Sequence, residues 1–190
     1  KVLAGENITI SVELGHLYEG ERLPSCLQVI AYPPMQQVDI VITTEDKVFD
    51  TALLLKPREY VIGMGCRKGK EADRIEDLIK RSMCEIGIMP MQILALSSIE
   101  QKGKELGFLA WSRKTNIPFI TYTAKELQEL SGNYHESAFV KDTVGVDNVC
   151  ERAAIKACEQ GGKLVYEKHA EDGMTIAIAK REWSVVFDEA

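Results

Sequence analysis

At 190 residues, 45% of them hydrophobic and 27% charged, the chain has the size of one ordinary domain, or of one domain and part of another, and enough apolar material for a sizeable core. Its net charge of -6 and pI near 5.2 argue against the broad basic face of a duplex nucleic-acid binder, and no apolar run approaches the length of a membrane span. The five cysteines, Cys26, Cys66, Cys84, Cys150 and Cys158, are odd in number and form no C-x-x-C pair. Set among only His16, His135 and His169, they suggest neither a disulfide framework nor a zinc site, and a reducing cytoplasm is the simplest reading.

In chain order, residues 8–12 and 38–42 read as strands, but Gly15, Gly20, Pro24, Pro33 and Pro34 interrupt the pattern between them. Residues 1–56 are therefore too short and interrupted to enclose a good core alone and are expected to be an incomplete or linker region that leans on the larger domain or is the remnant of another, with residues 57–190 an α/β domain. From about residue 55 apolar strands alternate with amphipathic helices. The expected elements are a strand at 61–64 and a helix at 71–86 with Ala72, Ile75, Ile79, Met83 and Ile86 on one face. A strand at 92–97 follows, then a helix at 102–114 packing through Leu106, Leu109 and Ala110, and a strand at 118–122. Thr123 and Glu126 have capping-box spacing for a third helix at 123–130. Residues 131–143 read as a loop. A helix at 148–160, capped by Asp147 and stopped by Gly161-Gly162, is expected to bury Val149, Ala153 and Ala157. Strands at 163–168 and 174–179, joined through Asp172-Gly173, complete a hairpin. The order predicts an α/β fold: a mostly parallel, mixed sheet sandwiched by helices, with an antiparallel hairpin on one edge.

The most informative segment runs from Tyr60 to Glu71, where an apolar strand passes through a glycine-punctuated basic loop straight into a helix. Gly63, Gly65 and Gly69 permit close approach of the backbone, the helix's first amides carry partial positive charge, and Arg67, Lys68 and Lys70 add full charges. Such a loop favours an anion, although the same turn also occurs as plain structure. The spacing Gly63-x-Gly65-x-x-x-Gly69 is one residue longer than the dinucleotide fingerprint, which disfavours a nucleotide-binding module. Cys66, flanked by Arg67 and Lys68 at a helix start, is in a setting that lowers a thiol pKa, while a small residue suited to a tight loop is its plainer reading.

Two more loops are expected beyond the carboxyl ends of the strands. In 97–105, Ser98, Lys102 and Glu105 recur at helical spacing, either as a catalytic cluster or as a cap with a solvated ion pair. In 139–146, Lys141 and Thr143 precede Gly145 and a helix N-terminus, again an arrangement suited to an anion.

Taken together these residues resemble a known family. Gly63-Met-Gly-Cys-Arg-Lys-Gly69, Ser98-Ile-Glu-Gln-Lys102 with Glu105, Phe139-Val-Lys-Asp-Thr-Val-Gly-Val146 with Val149, Glu151, Ala153 and Ala154, and Met174-Thr-Ile-Ala-Ile-Ala179 are similar, in that order, to the motifs of the cobalamin-biosynthesis family CbiG. That family is the cobalt-precorrin-5A hydrolase of the anaerobic vitamin B12 pathway. Residues 1–50 resemble its central region; its usual N-terminal domain is not visible, so the chain resembles a truncated or shortened member.

The resemblance implies an α/β sandwich and a hydrolase that opens the ring-A δ-lactone of a cobalt tetrapyrrole, releasing acetaldehyde and leaving cobalt-precorrin-5B. The substrate brings its own cobalt, so no cofactor and no protein metal site is implied. The implied partners are the cobalt-precorrin and, beyond it, other enzymes of the pathway, with no nucleic acid and no membrane. Candidate substrate-binding residues are Gly63, Gly65, Cys66, Arg67, Lys68, Gly69, Ser98, Lys141, Thr143 and Gly145. Glu105 and Glu100 are candidate bases, with His135 an outside one, and Lys102 with the amides of residues 65–69 could stabilise negative charge. The alternative is a non-catalytic domain that binds or hands over a corrinoid, since proteins resembling only this C-terminal domain occur in the oxygen-dependent branch of the pathway.

Overall fold

The computed structural model describes residues 1–17, 23–130, 148–159 and 161–187. The chain forms two compact units, Lys1–Arg58 with Trp183–Ala190, and Glu59–Glu182.

In the first unit, strands β1 (Ile8–Val12), β2 (Leu27–Val29), β3 (Val38–Ile42) and β4 (Thr51–Leu55) form a parallel sheet in the order β2-β1-β3-β4. Sequence patterning found β1 and β3. It missed β2, which is only three residues long, and β4, whose leucines Leu53, Leu54 and Leu55 are all exposed and follow no alternation. Ile10, Val12 and Ile42 make a small core with Trp183. His16 stacks on the Trp183 ring at 3.8 Å, and its Nδ1–H donates to the Trp183 carbonyl at 2.8 Å. The segment after Glu182 thus packs in the first unit, whereas the sequence division ran it on with the second; one distant tryptophan leaves no local signal of its destination.

The second unit contains β5 (Tyr60–Cys66), α1 (Ala72–Glu85), β6 (Ile93–Ile99), α2 (Leu106–Thr115), β7 (Phe119–Tyr122), α3 (Ala124–Gln128), α4 (Val149–Ala157), β8 (Lys163–Glu171) and β9 (Met174–Lys180). The sheet order is β7-β6-β5-β9-β8, with β5, β6 and β7 parallel and the β8–β9 hairpin antiparallel beside β5. Asp172 and Gly173 both take positive φ, 45° and 70°, as a two-residue hairpin turn requires. This is the expected α/β class, a mixed sheet covered by helices.

Strand alternation divides the core. Ile62, Met64, Leu96, Ile176 and Ile178 pack against Ile75, Leu78, Ile79 and Met83 of α1 and Phe108 and Trp111 of α2. On the other face Val61 and Ala179 meet Ala154 and Ala157 of α4. Gly63 lies where α4 comes closest: a Cβ there would sit 1.9 Å from the Cys150 carbonyl oxygen.

Two helices differ from expectation. A 3-10 turn occupies Glu100–Lys102, α2 starts at Leu106, and its buried residues are Gly107, Phe108 and Trp111, while Leu106 is 79% exposed and Ala110 is exposed. The contact is built on Gly107, where a Cβ would lie 2.4 Å from Ile75 Cδ1, and a glycine in a contact face is silent in a hydrophobic pattern. Helix α4 is capped by Asn148, whose side-chain oxygen accepts from the Glu151 N–H; Asp147 lies outside the described residues.

Candidate functional site

A cavity of about 1370 Å³ lies at the carboxyl ends of β5 and β6, where open α/β sheets bind ligands. The first turns of α1, α2 and α4 and the β8–β9 turn close around it. The first amides of each of these helices give its start partial positive charge. Six cations (Arg67, Lys68, Lys70, Lys102, Lys104 and Lys168) line it against four carboxylates (Glu71, Glu105, Glu171 and Asp172), the reverse of the whole chain's balance. Ala72, Ile99, Leu106, Ala110, Val149 and Met174 supply an apolar surface in the same cavity.

The loop after β5 is fastened at both ends. Gly69 has φ of 78°, a left-handed conformation that glycine tolerates, and its N–H donates to Glu105 Oε1 at 2.8 Å. Glu105 Oε2 is 3.3 Å from Lys102 Nζ, and the Glu105 side chain is only 6% exposed. The Arg67 N–H donates to the Gly173 carbonyl at 2.9 Å, and Lys70 Nζ bonds Asp172 Oδ2 at 2.6 Å, so the loop is also laced to the hairpin turn. The Lys70 ammonium holds the Asp172 carboxyl below its ordinary pKa.

Gly65, Cys66, Arg67, Lys68, Gly69, Lys102 and Glu105 therefore come together in one cavity. Gly63 does not line it; this glycine admits α4 against β5. Ser98 is fully buried, and its hydroxyl donates to the Met64 carbonyl at 2.6 Å, which makes it a strap between β6 and β5. Glu100 is exposed, in the 3-10 turn, and outside the cavity lining. Lys141, Thr143, Gly145 and His135 lie outside the described residues. Lys168, Asn148, Cys150 and Thr175 were missed as lining residues, because they reach the cavity only once the hairpin and α4 have docked; Lys104, in the loop before α2, was missed as well.

At Cys66 the structure agrees with the plainer reading, a small residue in a tight loop, and not with a lowered thiol pKa. Burial pushes its thiol up to about 11, outweighing the lowering effect of Lys102, and burial pushes Cys150 up to about 12. Both are neutral thiols near pH 7. With iodoacetamide at pH 8, exposed Cys84 is expected to react well before Cys66 and Cys150, as read by peptide mass mapping. Labelling of Cys66 as fast as Cys84 would mark it as an activated thiol after all.

Residues 60–179 match the family model described as "Cobalamin synthesis G C-terminus". The chain belongs to this family. Among curated relatives, it is 32% identical over 124 residues to a cobalt-precorrin-5A hydrolase of Salmonella typhimurium, covering 65% of this chain and 35% of the relative. It is also 32% identical over 111 residues to the cobalt-precorrin-5A hydrolase of Priestia megaterium, covering 58% and 29% respectively. The chain thus spans about a third of the length of these relatives. The solved structure of CobE, a protein from the cobalamin biosynthetic pathway, matches with TM-score 0.61 and 26% identity over 64% of this chain and 89% of that one. A cobalamin biosynthesis protein G homologue from Sulfolobus solfataricus matches over 95% of this chain and 52% of its own, with TM-score 0.54; at 22% identity this likeness concerns the fold.

Among the described residues, no helix is long and apolar enough to cross a membrane, and no cluster of three or more His, Cys, Asp or Glu is placed to hold a metal ion.

Proposed function

We propose that the cavity binds cobalt-precorrin-5A and that the chain takes part in hydrolysing its ring-A δ-lactone, with release of acetaldehyde and formation of cobalt-precorrin-5B. One observation carries this reading: an apolar surface and an excess of cations share one large cavity at three helix N-termini. A flat macrocycle edged with carboxylates needs both, an apolar face to leave water and fixed positive charge for its rim.

Lactone opening needs a base for water and donors for the carbonyl oxygen as it becomes negative. Glu105 has the placement of an oriented base. Oε1 is anchored by the Gly69 N–H at 2.8 Å, while among the described residues Oε2 has only the looser 3.3 Å contact with Lys102, which a substrate can draw away. Oε2 takes a proton from water as the hydroxyl adds to the acyl carbon, and the ring oxygen leaves as an alcohol; loss of that hydroxyl's proton with cleavage of the bond between its carbon and the macrocycle then releases acetaldehyde, the bonding pair staying on the macrocycle and taking up a proton. Lys102 and the helix-start amides stabilise the oxyanion. A binding-only role is the second reading: the match covers 89% of the CobE chain, so a domain of this fold occurs in the cobalamin pathway with little else attached.

Incubation with cobalt-precorrin-5A, followed by gel filtration and an acetaldehyde assay, tests both. Pigment on the protein with acetaldehyde in solution is expected. Bound pigment alone would leave the binding role; neither bound pigment nor acetaldehyde would end both readings. Arg67→Ala should weaken binding by about 1.5 to 3 kcal/mol, roughly ten- to a hundredfold, with the fold intact, because the side chain is exposed and a charge-assisted contact is lost. Unchanged affinity would reduce Arg67 to its packing over Gly173.

A further inference from the structure

Glu151 is fully buried and does not line the cavity, yet its carboxylate is bonded to residues that do. Oε1 accepts the backbone N–H of Lys168 at 2.8 Å, and Oε2 accepts from Asn148 Nδ2 at 2.6 Å. Asn148 in turn uses Oδ1 to accept from the Glu151 N–H at 3.1 Å and from the Cys150 thiol at 3.4 Å. Asn148, Cys150 and Lys168 all line the cavity, the first two from the start of α4 and the third from strand β8. Burying a carboxylate is unfavourable unless hydrogen bonds and fixed dipoles replace water, and the α4 N-terminus supplies such a dipole.

We propose that Glu151 is the positioning residue of this wall of the cavity. Its carboxylate ties β8 to the α4 cap, sets the Asn148 amide with Oδ1 toward Cys150, and holds Lys168 at the height from which its ammonium meets an anionic ligand. The proposal rests on the reading of the cavity as a tetrapyrrole site.

Hydrogen-bond polarity makes it testable. The two described groups on the Glu151 carboxylate, the Lys168 N–H and Asn148 Nδ2, are both donors, so a glutamine, with one acceptor and one donor, satisfies one and opposes the other. Turning the Asn148 amide over does not help, since Nδ2 would then face the Glu151 N–H and the Cys150 thiol. Asn148→Asp does help: its two acceptors take the new glutamine NH₂, the N–H of residue 151 and the thiol, and Asp remains a good N-cap.

The experiment compares wild type, Glu151→Gln, Glu151→Gln/Asn148→Asp and a control, Glu59→Gln. Glu59 is 3% exposed, pairs with Lys180 at 3.2 Å, and precedes β5, whose far end meets the cavity roughly 20 Å away. Affinity for cobalt-precorrin-5A is read by visible absorbance, stability by thermal melts, and the Lys168 amide by hydrogen exchange without ligand. Glu151→Gln is expected to lose at least tenfold in affinity and to exchange Lys168 faster, and the double variant to recover to within about threefold of wild type on both. The control is expected to lose stability without losing affinity. Wild-type affinity in a folded Glu151→Gln protein, or a double variant no better than the single one, would overturn the positioning role. If wild type takes up no tetrapyrrole, the functional reading fails, and the Lys168 exchange pattern still decides whether Glu151 holds this wall.

Discussion

Gly63→Ala is expected to destabilise the second unit by about 3 kcal/mol or more, a fall in melting temperature of roughly 10 °C or beyond. A Cβ at this position would lie 1.9 Å from the Cys150 carbonyl oxygen, 2.9 Å from its carbon and 2.8 Å from the Ala154 nitrogen. All three are backbone atoms of α4, so no side chain can turn aside; the helix itself must back away from the sheet. That movement would open the alanine-lined contact of Ala154 and Ala157 with Val61 and Ala179, and shift Asn148, Val149 and Cys150 out of the cavity wall. Thermal melts followed by circular dichroism measure the effect, and a melting temperature within 2 °C of wild type would contradict the packing role. Gly69→Ala makes the contrast. Among the described residues nothing lies within 4 Å of a Cβ there, so the expected effect is the strain of a left-handed residue, about 1 kcal/mol.

The second large effect is expected at Glu105. Glu105→Gln keeps an oxygen for the Gly69 N–H but loses the basic Oε2, so acetaldehyde release at saturating cobalt-precorrin-5A should fall a hundredfold or more while affinity changes little. Glu105→Ala removes the anchor as well, frees the loop after β5, and should weaken binding in addition to rate. Lys102→Met is expected to follow the glutamine variant, since a charge that stabilises the oxyanion acts mainly in the transition state. The assay is to be run in an enzyme with the domain content of the longer relatives as well as in this chain, because the chain spans about a third of them. Undiminished turnover in Glu105→Gln would leave Glu105 as the loop's anchor and remove it from the chemistry.

Elements with a strong local signature were legible in advance. The T-x-x-E box appears as a reciprocal cap: the Glu126 N–H donates to Thr123 Oγ1 at 3.2 Å, and Glu126 accepts the Thr123 N–H at 2.8 Å. Asp172-Gly173 forms the two-residue turn its composition demands. The basic loop after β5 stands at a sheet's carboxyl end and a helix start, as expected of a glycine-rich strand-to-helix turn. Short or exposed strands were not legible, because β2 and β4 present no alternating buried face.

The individual roles within the motifs were also beyond local reading. Gly63, Gly65 and Gly69 look alike in the sequence, yet the first admits a helix, the second lies under the Thr175 hydroxyl, and the third turns the chain left-handed. Ser98 and Glu105 stand at helical spacing, yet one hydroxyl is spent on the Met64 carbonyl while the carboxylate holds the Gly69 amide.

By itself the sequence determined the alternation of strands and helices, the hairpin and the place of the basic loop, because periodicity, caps and turn residues act over a few neighbouring positions. Only the tertiary structure decided which of those residues share the cavity. Burial and charge pairing act between groups distant in the chain: Lys168 and Asp172 arrive with the hairpin, Asn148 and Cys150 with α4, and the surroundings of Cys66 raise its thiol pKa where its charged sequence neighbours alone would lower it.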